Sequence, residues 1–227
     1  NKYHKFILKI LRDSSPNVRA LEYIIQKEEE RRKEEEKIVV SEAVFGGQLE
    51  MNEIYINKED NLNPRYTFEN FVVGSFNDLA HAAGQAVIKN PGHNYNPLFI
   101  YGGTGLGKTH LIQAIGNEVK KVAPSHKIHY LSLEKFSNDY VDSVKNNKIN
   151  LFKEKYRKYD LLIMDDIQFI STKEGTQDEL FHLFNYLYEN NKQIVFSCDK
   201  PPKHIPGVEE RLRSRFEGGM QADVSKP

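Results

Sequence analysis

Lys108 and Thr109 close a glycine-rich run, Gly102, Gly103, Thr104, Gly105, Leu106 and Gly107, that follows the apolar stretch Leu98–Tyr101. The spacing Gly-x4-Gly-Lys-Thr is that of a phosphate-binding P-loop, and it has the required context, a strand before it and a helix after it. Glycines let the backbone approach a ligand closely. Successive N–H groups then cradle phosphate oxygens, and the helix N-terminus adds positive potential. Lys108 is expected to reach the β- and γ-phosphates, and Thr109 to ligate Mg²⁺ through its hydroxyl.

Such a loop needs an acid at the end of a neighbouring buried strand, and the run LLIMDD supplies two, Asp165 and Asp166. Asp165 is expected to hold Mg²⁺, usually through water, and Asp166 to orient or deprotonate the attacking water. Next along the sheet, Asp199 ends the apolar run IVFSC. At the carboxyl end of a strand it would face the ligand crevice of a doubly wound sheet and sense the γ-phosphate or position water. The alternative is an Asp that opens the turn before Pro201 and Pro202. Arg211, Arg213 and Arg215 fall at i, i+2 and i+4, so Arg211 and Arg215 share a helix face and Arg213 does not. Spacing alone leaves them as solvated arginines near a helix C-terminus.

Elements that could position these residues follow from the hydrophobic pattern. Strands are expected at Leu98–Tyr101, Lys127–Leu133, 159–166, 192–198 and Met220–Val224. Helices are expected at Lys108–Lys121, Glu134–Val144, Leu151–Tyr156, Glu174–Asn190 and Val208–Phe216. Strands apolar throughout and separated by helices imply an α/β fold, a parallel sheet covered by helices on both faces. Upstream, residues 1–26 place Tyr3, Phe6, Ile7, Ile10 and Leu11 on one helix face before the strand-like run VRALEYIIQ. Either they form the end of a small N-terminal α/β domain or the segment is loosely ordered. Residues 27–62 open with KEEERRKEEEK and read as a charged, poorly ordered linker, leaving 63–227 as the main domain.

Composition narrows the function classes. The 227 residues carry 32 Lys plus Arg and 32 Asp plus Glu, so any nucleic-acid contact must come from local patches rather than net charge. The single cysteine, Cys198, lies in an apolar run and reads as a core residue in a reducing cytoplasm. No run approaches the roughly 18 apolar residues that a membrane helix needs.

The blocks NPRYTFENFVVGSFNDLAHAAG, NPLFIYGGTGLGKTHLIQAIGNE, LLIMDDIQFI, KEGTQDELFHLFN and SCDKPPKHIPGVEERLRSRFEGGM together resemble the DnaA family of bacterial replication initiators, within the AAA+ ATPases. The resemblance covers about residues 63–227. It implies a P-loop AAA+ core, ATP or ADP with Mg²⁺ as cofactors, and weak ATPase activity acting as a switch. The ATP form would assemble head to tail on origin DNA and open the duplex, and hydrolysis would turn it off. Residues Gly102 to Thr109, with His110, would bind the nucleotide, and Phe71 and Val72 would line the adenine pocket. Asp165 and Asp166 would form the Walker B pair and Asp199 would be the sensor 1 residue. Arg215 would be an arginine finger, too far from its own γ-phosphate and acting in a neighbour's site.

Residues Leu133–Lys158 match the initiator-specific helical insertion. There Val141 would contact single-stranded DNA, and Lys145, Lys148, Lys153, Lys155, Arg157 and Lys158 would supply positive charge. Implied partners are the replicative helicase, through the N-terminal segment, and acidic phospholipids. The implied location is the cytoplasm, in association with the nucleoid. Gly175 and Gly218 depart from the family pattern, where a basic residue and a tryptophan are common. The lid and the helix-turn-helix domain are expected to be absent from this chain. Related helicase loaders, transposition helper ATPases, and a non-catalytic assembly module ordered by nucleotide remain as alternatives.

Overall fold

The computed structural model describes residues 59–170 and 174–227. The expectations for residues 1–26, and for the linker up to residue 58, lie outside this range. The elements run α1 (Asp78–Lys89), β1 (Leu98–Gly102), α2 (Lys108–Val122), β2 (Ile128–Ser132), α3 (Leu133–Lys145), α4 (Ile149–Arg157), β3 (Leu161–Asp165), α5 (Glu174–Glu189), β4 (Gln193–Cys198), α6 (Glu210–Glu217) and β5 (Met220–Val224). Short 3-10 turns at Ile167–Ile170 and Pro202–His204 flank α5 and β4.

The five strands form one sheet in the order β2-β3-β4-β1-β5, and every pairing is parallel. One expectation is corrected here. The strand ending in Asp165 is not the neighbour of the P-loop strand, because β4 pairs with both β1 and β3 and lies between them. The end of β4 therefore occupies the centre of the crevice rather than its flank.

Strand alternation splits the core in two. Leu98, Ile100, Ile163 and Val195 point to one face, where they meet Leu111, Ile112 and Ile115 of α2 and Ala80, Ala83 and Val87 of α1. Phe99, Met164, Ile194 and Phe196 point to the other, against α3, α4, α5 and α6. Both faces are covered, as a parallel sheet requires. Phe99, Phe196 and Phe216 form a ring cluster with centroids 4.9–6.1 Å apart, which fixes α6 to the second face. Truncating Phe216, fully buried, to alanine is worth about 3–5 kcal/mol of stability.

Local chemistry sets the element ends. Ser132 caps α3, its Oγ accepting from the Lys135 N–H at 3.3 Å, so the helix begins at Leu133. Helix α6 begins later than Val208 because Glu209 has an extended ψ of 143° and serves as the N-cap; its N–H donates to Gln177 Oε1 at 2.9 Å. At the N-terminal edge, Asp60 and Leu62 are already buried, although their sequence reads as linker. The Asp60 carbonyl accepts from the Tyr130 N–H at 2.8 Å, and Leu62 packs where Gly116 leaves no room for a Cβ.

Candidate active site

The P-loop leaves β1 at Gly102, whose position allows no side chain, because a Cβ would collide with the Val224 carbonyl of β5. At the other end Gly107 has φ 93° and directly precedes α2, with no side-chain cap on the helix. The first-turn N–H groups of α2 are thus left for a ligand. Lys108 is 9% exposed, and its Nζ donates to the Gly103 carbonyl at 2.9 Å. The ammonium therefore sits inside the loop, while Gly103, Thr104 and Gly105 are exposed on its rim and Leu106 is half-buried.

Asp165 is 3% exposed, and four donors converge on its carboxylate. Oδ2 accepts from Thr109 Oγ1 at 2.8 Å and from the Tyr130 hydroxyl at 2.9 Å. Oδ1 accepts from Ser197 Oγ and, at 3.0 Å, from the Asp166 N–H. A buried carboxylate needs this satisfaction. Burial, followed by the charge of Asp165, pushes the Tyr130 phenol well above its ordinary pKa, so it stays a donor.

Asp166 has φ 58°, a left-handed conformation that Asp tolerates better than most residues. Its Oδ1 accepts from Gln168 Nε2 at 2.9 Å. Gln168 Oε1 in turn accepts from the Asp199 N–H at 3.3 Å. The Asp199 carboxylate lies 3.7 Å from Lys200 Nζ. Beside it, burial pushes the Cys198 thiol up to about 12, which leaves it a protonated core residue.

Lys108, Thr109, Asp165, Asp166 and Asp199 thus gather at the carboxyl ends of β1, β3 and β4, the edge where parallel sheets bind ligands. Tyr130, Ser197 and Gln168 belong to this network but carry no motif. In sequence Tyr130 is the middle residue of a strand, Ser197 the last but one of another, and Gln168 a turn residue just past a third.

The expected adenine-pocket residues separate. Phe71 is 8% exposed and lies against the loop, 3.3 Å from where a Gly107 Cβ would stand, with its ring edge-on to His110 at 5.4 Å. His110 Nε2 bonds the Thr67 carbonyl at 2.8 Å, which ties the segment to α2. Val72 is 77% exposed.

Two further sets lie elsewhere. Val141, Lys145 and Lys148 are exposed on the α3–α4 hairpin beside Val144 and Leu151. The basic stretch around them is less free than its composition suggests. Lys155 pairs with Asp139 at 2.6 Å, Lys153 with Glu179 at 3.5 Å, and Arg157 and Lys158 lie over the rings of Tyr186 and Tyr159. Lys145 and Lys148 have no carboxylate partner among the described residues. Gly175 leaves a Cβ position 3.5 Å from Tyr140 of α3, and Gly218 is the C-cap of α6. On α6, Arg211 and Arg215 both lie over Phe181 of α5, whereas Arg213 turns inward to the Val208 carbonyl. Arg215 Nε also donates to Asn185 Oδ1 at 2.9 Å.

A family model of the bacterial DnaA ATPase domain matches residues 62–223. The chromosomal replication initiator protein DnaA of Geotalea daltonii is 59% identical over 167 residues, 74% of this chain and 38% of that protein. Its counterpart in Caldanaerobacter subterraneus is 59% identical over 166 residues, covering 73% and 38%. The chain therefore spans little more than a third of these relatives. Among solved structures, domain III of Thermotoga maritima DnaA superposes with a TM-score of 0.72 at 53% identity, covering 73% of this chain and 69% of that one. A replication initiator DnaA bound to AMPPCP and single-stranded DNA gives 0.71 at 47%, covering 74% and 52%. A DnaC helicase loader shares only the fold, at 15% identity and a TM-score of 0.60. With the strand order, the loop and the acid pair in place, these likenesses settle the lineage: the chain belongs to the bacterial DnaA ATPase-domain family.

Proposed function

We propose that this chain binds ATP with Mg²⁺ at the P-loop, hydrolyses it slowly, and uses the bound nucleotide as a switch for replication initiation. The observation that carries this reading is the contact between the P-loop and the acid strand, Thr109 Oγ1 on Asp165 Oδ2 at 2.8 Å. A hydroxyl and a carboxylate oxygen already converge there as hard oxygen ligands for a small divalent cation. Among the described residues no three His, Cys, Asp or Glu side chains converge as a metal cage, so Mg²⁺ would share its ligands with the phosphates. The metal, when bound, neutralises phosphate charge. Lys108 supplies the ammonium for the phosphates, Asp166 accepts the proton of the attacking water, and Asp199 faces the γ-phosphate.

Under the same reading the ATP form assembles head to tail on origin DNA, with Arg215 entering the next subunit's site. Val141, Lys145 and Lys148 meet single-stranded DNA. Contacts with the replicative helicase and with acidic phospholipids, and action at the nucleoid in the cytoplasm, complete it. It is supported by the family membership and by a neighbour solved with AMPPCP and single-stranded DNA.

The test is ATP titration with and without Mg²⁺, followed by single-turnover hydrolysis by the parent and by Asp166→Asn. The variant should bind ATP like the parent and hydrolyse it roughly 10²–10⁴-fold more slowly, the usual share of a general base. Parental turnover by Asp166→Asn would show that the two carboxylates have been assigned wrongly. ATP binding without measurable turnover by the parent would favour a non-catalytic assembly module.

A further inference from the structure

Asp166 and Asp199 follow the ends of neighbouring strands, and a single side chain links them. Gln168 donates through Nε2 to Asp166 Oδ1 at 2.9 Å and accepts through Oε1 from the Asp199 N–H at 3.3 Å. Its backbone is held from below, because Ile167 and Ile170 of the same 3-10 turn are fully buried in the core. Asp166 is held from its other side. Its N–H donates to Asp165 Oδ1 at 3.0 Å and to Ser197 Oγ at 3.1 Å. Backbone fixed on both sides leaves the Asp166 carboxylate only its two side-chain torsions, and the Gln168 amide bonded to Oδ1 is the group that restrains them.

Residue type matters here. A carboxamide donates and accepts at once. A carboxylate at 168 would lose the donor and oppose the charge of Asp166, and an alkyl group would lose both bonds. We propose that Gln168 is a positioning residue that aims the Asp166 carboxylate and holds the Asp199 backbone, so that the two act as one unit. This rests on the roles proposed above for Asp166 and Asp199. Gln168 itself touches no reacting atom. Its effect is on geometry, and a misplacement of about 1 Å at a reacting group costs on the order of 10²-fold in rate.

The experiment compares Gln168→Leu, Gln168→Glu, Asp166→Asn and Asp166→Asn/Gln168→Leu with the parent chain. Three readouts are taken: ATP affinity, single-turnover hydrolysis, and hydrogen exchange of the Asp199 amide without nucleotide. Both Gln168 variants should keep ATP affinity within about twofold while hydrolysis falls roughly 10–100-fold, a split that a loosened fold would not give. In Gln168→Leu the Asp199 amide should exchange about tenfold faster or more, having lost its acceptor. The double variant should be no slower than Asp166→Asn alone, since residues acting as one unit are not additive. Hydrolysis by Gln168→Leu within about twofold of the parent, while Asp166→Asn is inactive, would overturn the inference and leave the role of Asp166 standing. Equal losses of affinity and rate would also overturn it, by marking a structural residue. Parental turnover by Asp166→Asn would instead remove the role of Asp166, and this inference with it.

Discussion

Thr109 and Asp165, 56 residues apart in the chain, are joined by a hydrogen bond of 2.8 Å from Oγ1 to Oδ2 that closes the P-loop helix onto the end of β3. With the Tyr130 and Ser197 hydroxyls on the same carboxylate, Asp165 is oriented before any ligand arrives. Preorganisation of this kind lowers the cost of binding a cation.

Asp165→Asn should therefore weaken the contribution of Mg²⁺ rather than nucleotide binding as such. Calorimetry on the parent should show ATP binding tightened by Mg²⁺. In the variant that gain should shrink by roughly 10–100-fold, while affinity without metal stays close to the parent's. A variant that kept the full Mg²⁺ gain would place the metal elsewhere.

Asp139 clips the α3–α4 hairpin together. Lys135 reaches it at 2.7 Å, Lys155 at 2.6 Å and the buried Tyr156 hydroxyl at 2.8 Å. Burial resists ionisation of Asp139, but the three hydrogen bonds outweigh it and bring the carboxyl down to about 2. Its unfolded value is near 3.9, so the clip is complete above that pH and is lost as the pH falls toward the folded value. Asp139→Asn should cost about 1–2 kcal/mol at pH 7 and flatten the acid destabilisation between about pH 4 and 2. Urea midpoints across that range decide it, and parallel curves for parent and variant would remove Asp139 as the source.

Much of this site is legible in the sequence because its chemistry is carried by contiguous runs. Gly102 to Thr109 and the pair Asp165–Asp166 need only their flanking strand and helix to be understood. Sheet order is different, because nothing local to LLIMDD or IVFSC says which of them pairs with β1. The wide crossovers decide it, and they place β4 in the middle. Helix α1 is not among the elements expected from the sequence. Its buried side is Ala80, Ala83, Gly84 and Val87, and the small residues allow close approach to α2, where a Gly84 Cβ would come within 3.0 Å of Ile115. Tyr130, Ser197 and Gln168 are illegible in sequence because their partners are reached only through the sheet or a turn.

Lys145 and Lys148 should carry the electrostatic part of single-stranded DNA binding, since the neighbouring Lys153 and Lys155 are already paired with carboxylates. Replacing both with Glu should weaken binding and flatten its salt dependence, because each lost phosphate contact lowers the slope by about 0.7 on single strands. Replacing Lys153 should do much less. Fluorescence anisotropy over a tenfold salt range gives both numbers, and an unchanged slope in the Lys145→Glu/Lys148→Glu variant would move the DNA path off this hairpin.

Arg215 offers the sharpest test of assembly. Its guanidinium rests over Phe181 and donates to Asn185, and both partners belong to α5. Helix α6 is fixed through Phe216 to the sheet face opposite the one that carries α2, the helix of Lys108 and Thr109. The last turn of α6, which carries Arg215, leads into the amino end of β5, whereas the P-loop leaves the carboxyl end of the parallel neighbour β1, so the length of the strands separates the two. A second copy placed head to tail avoids that, and repetition of the same contact gives an open filament instead of a closed dimer. Arginine suits this task because its planar fork grips phosphate oxygens in pairs. A γ-phosphate offers oxygens that ADP lacks, so the joint would form with ATP and loosen after hydrolysis. Arg215→Ala should accordingly bind ATP like the parent as a dilute monomer, yet fail to form ATP-dependent assemblies in sedimentation. An equal mixture with Lys108→Ala should give short species only, because a joint needs ATP on one side and Arg215 on the other. Should dilute Arg215→Ala lose ATP affinity, the guanidinium must be serving its own subunit, and the trans arrangement would be wrong.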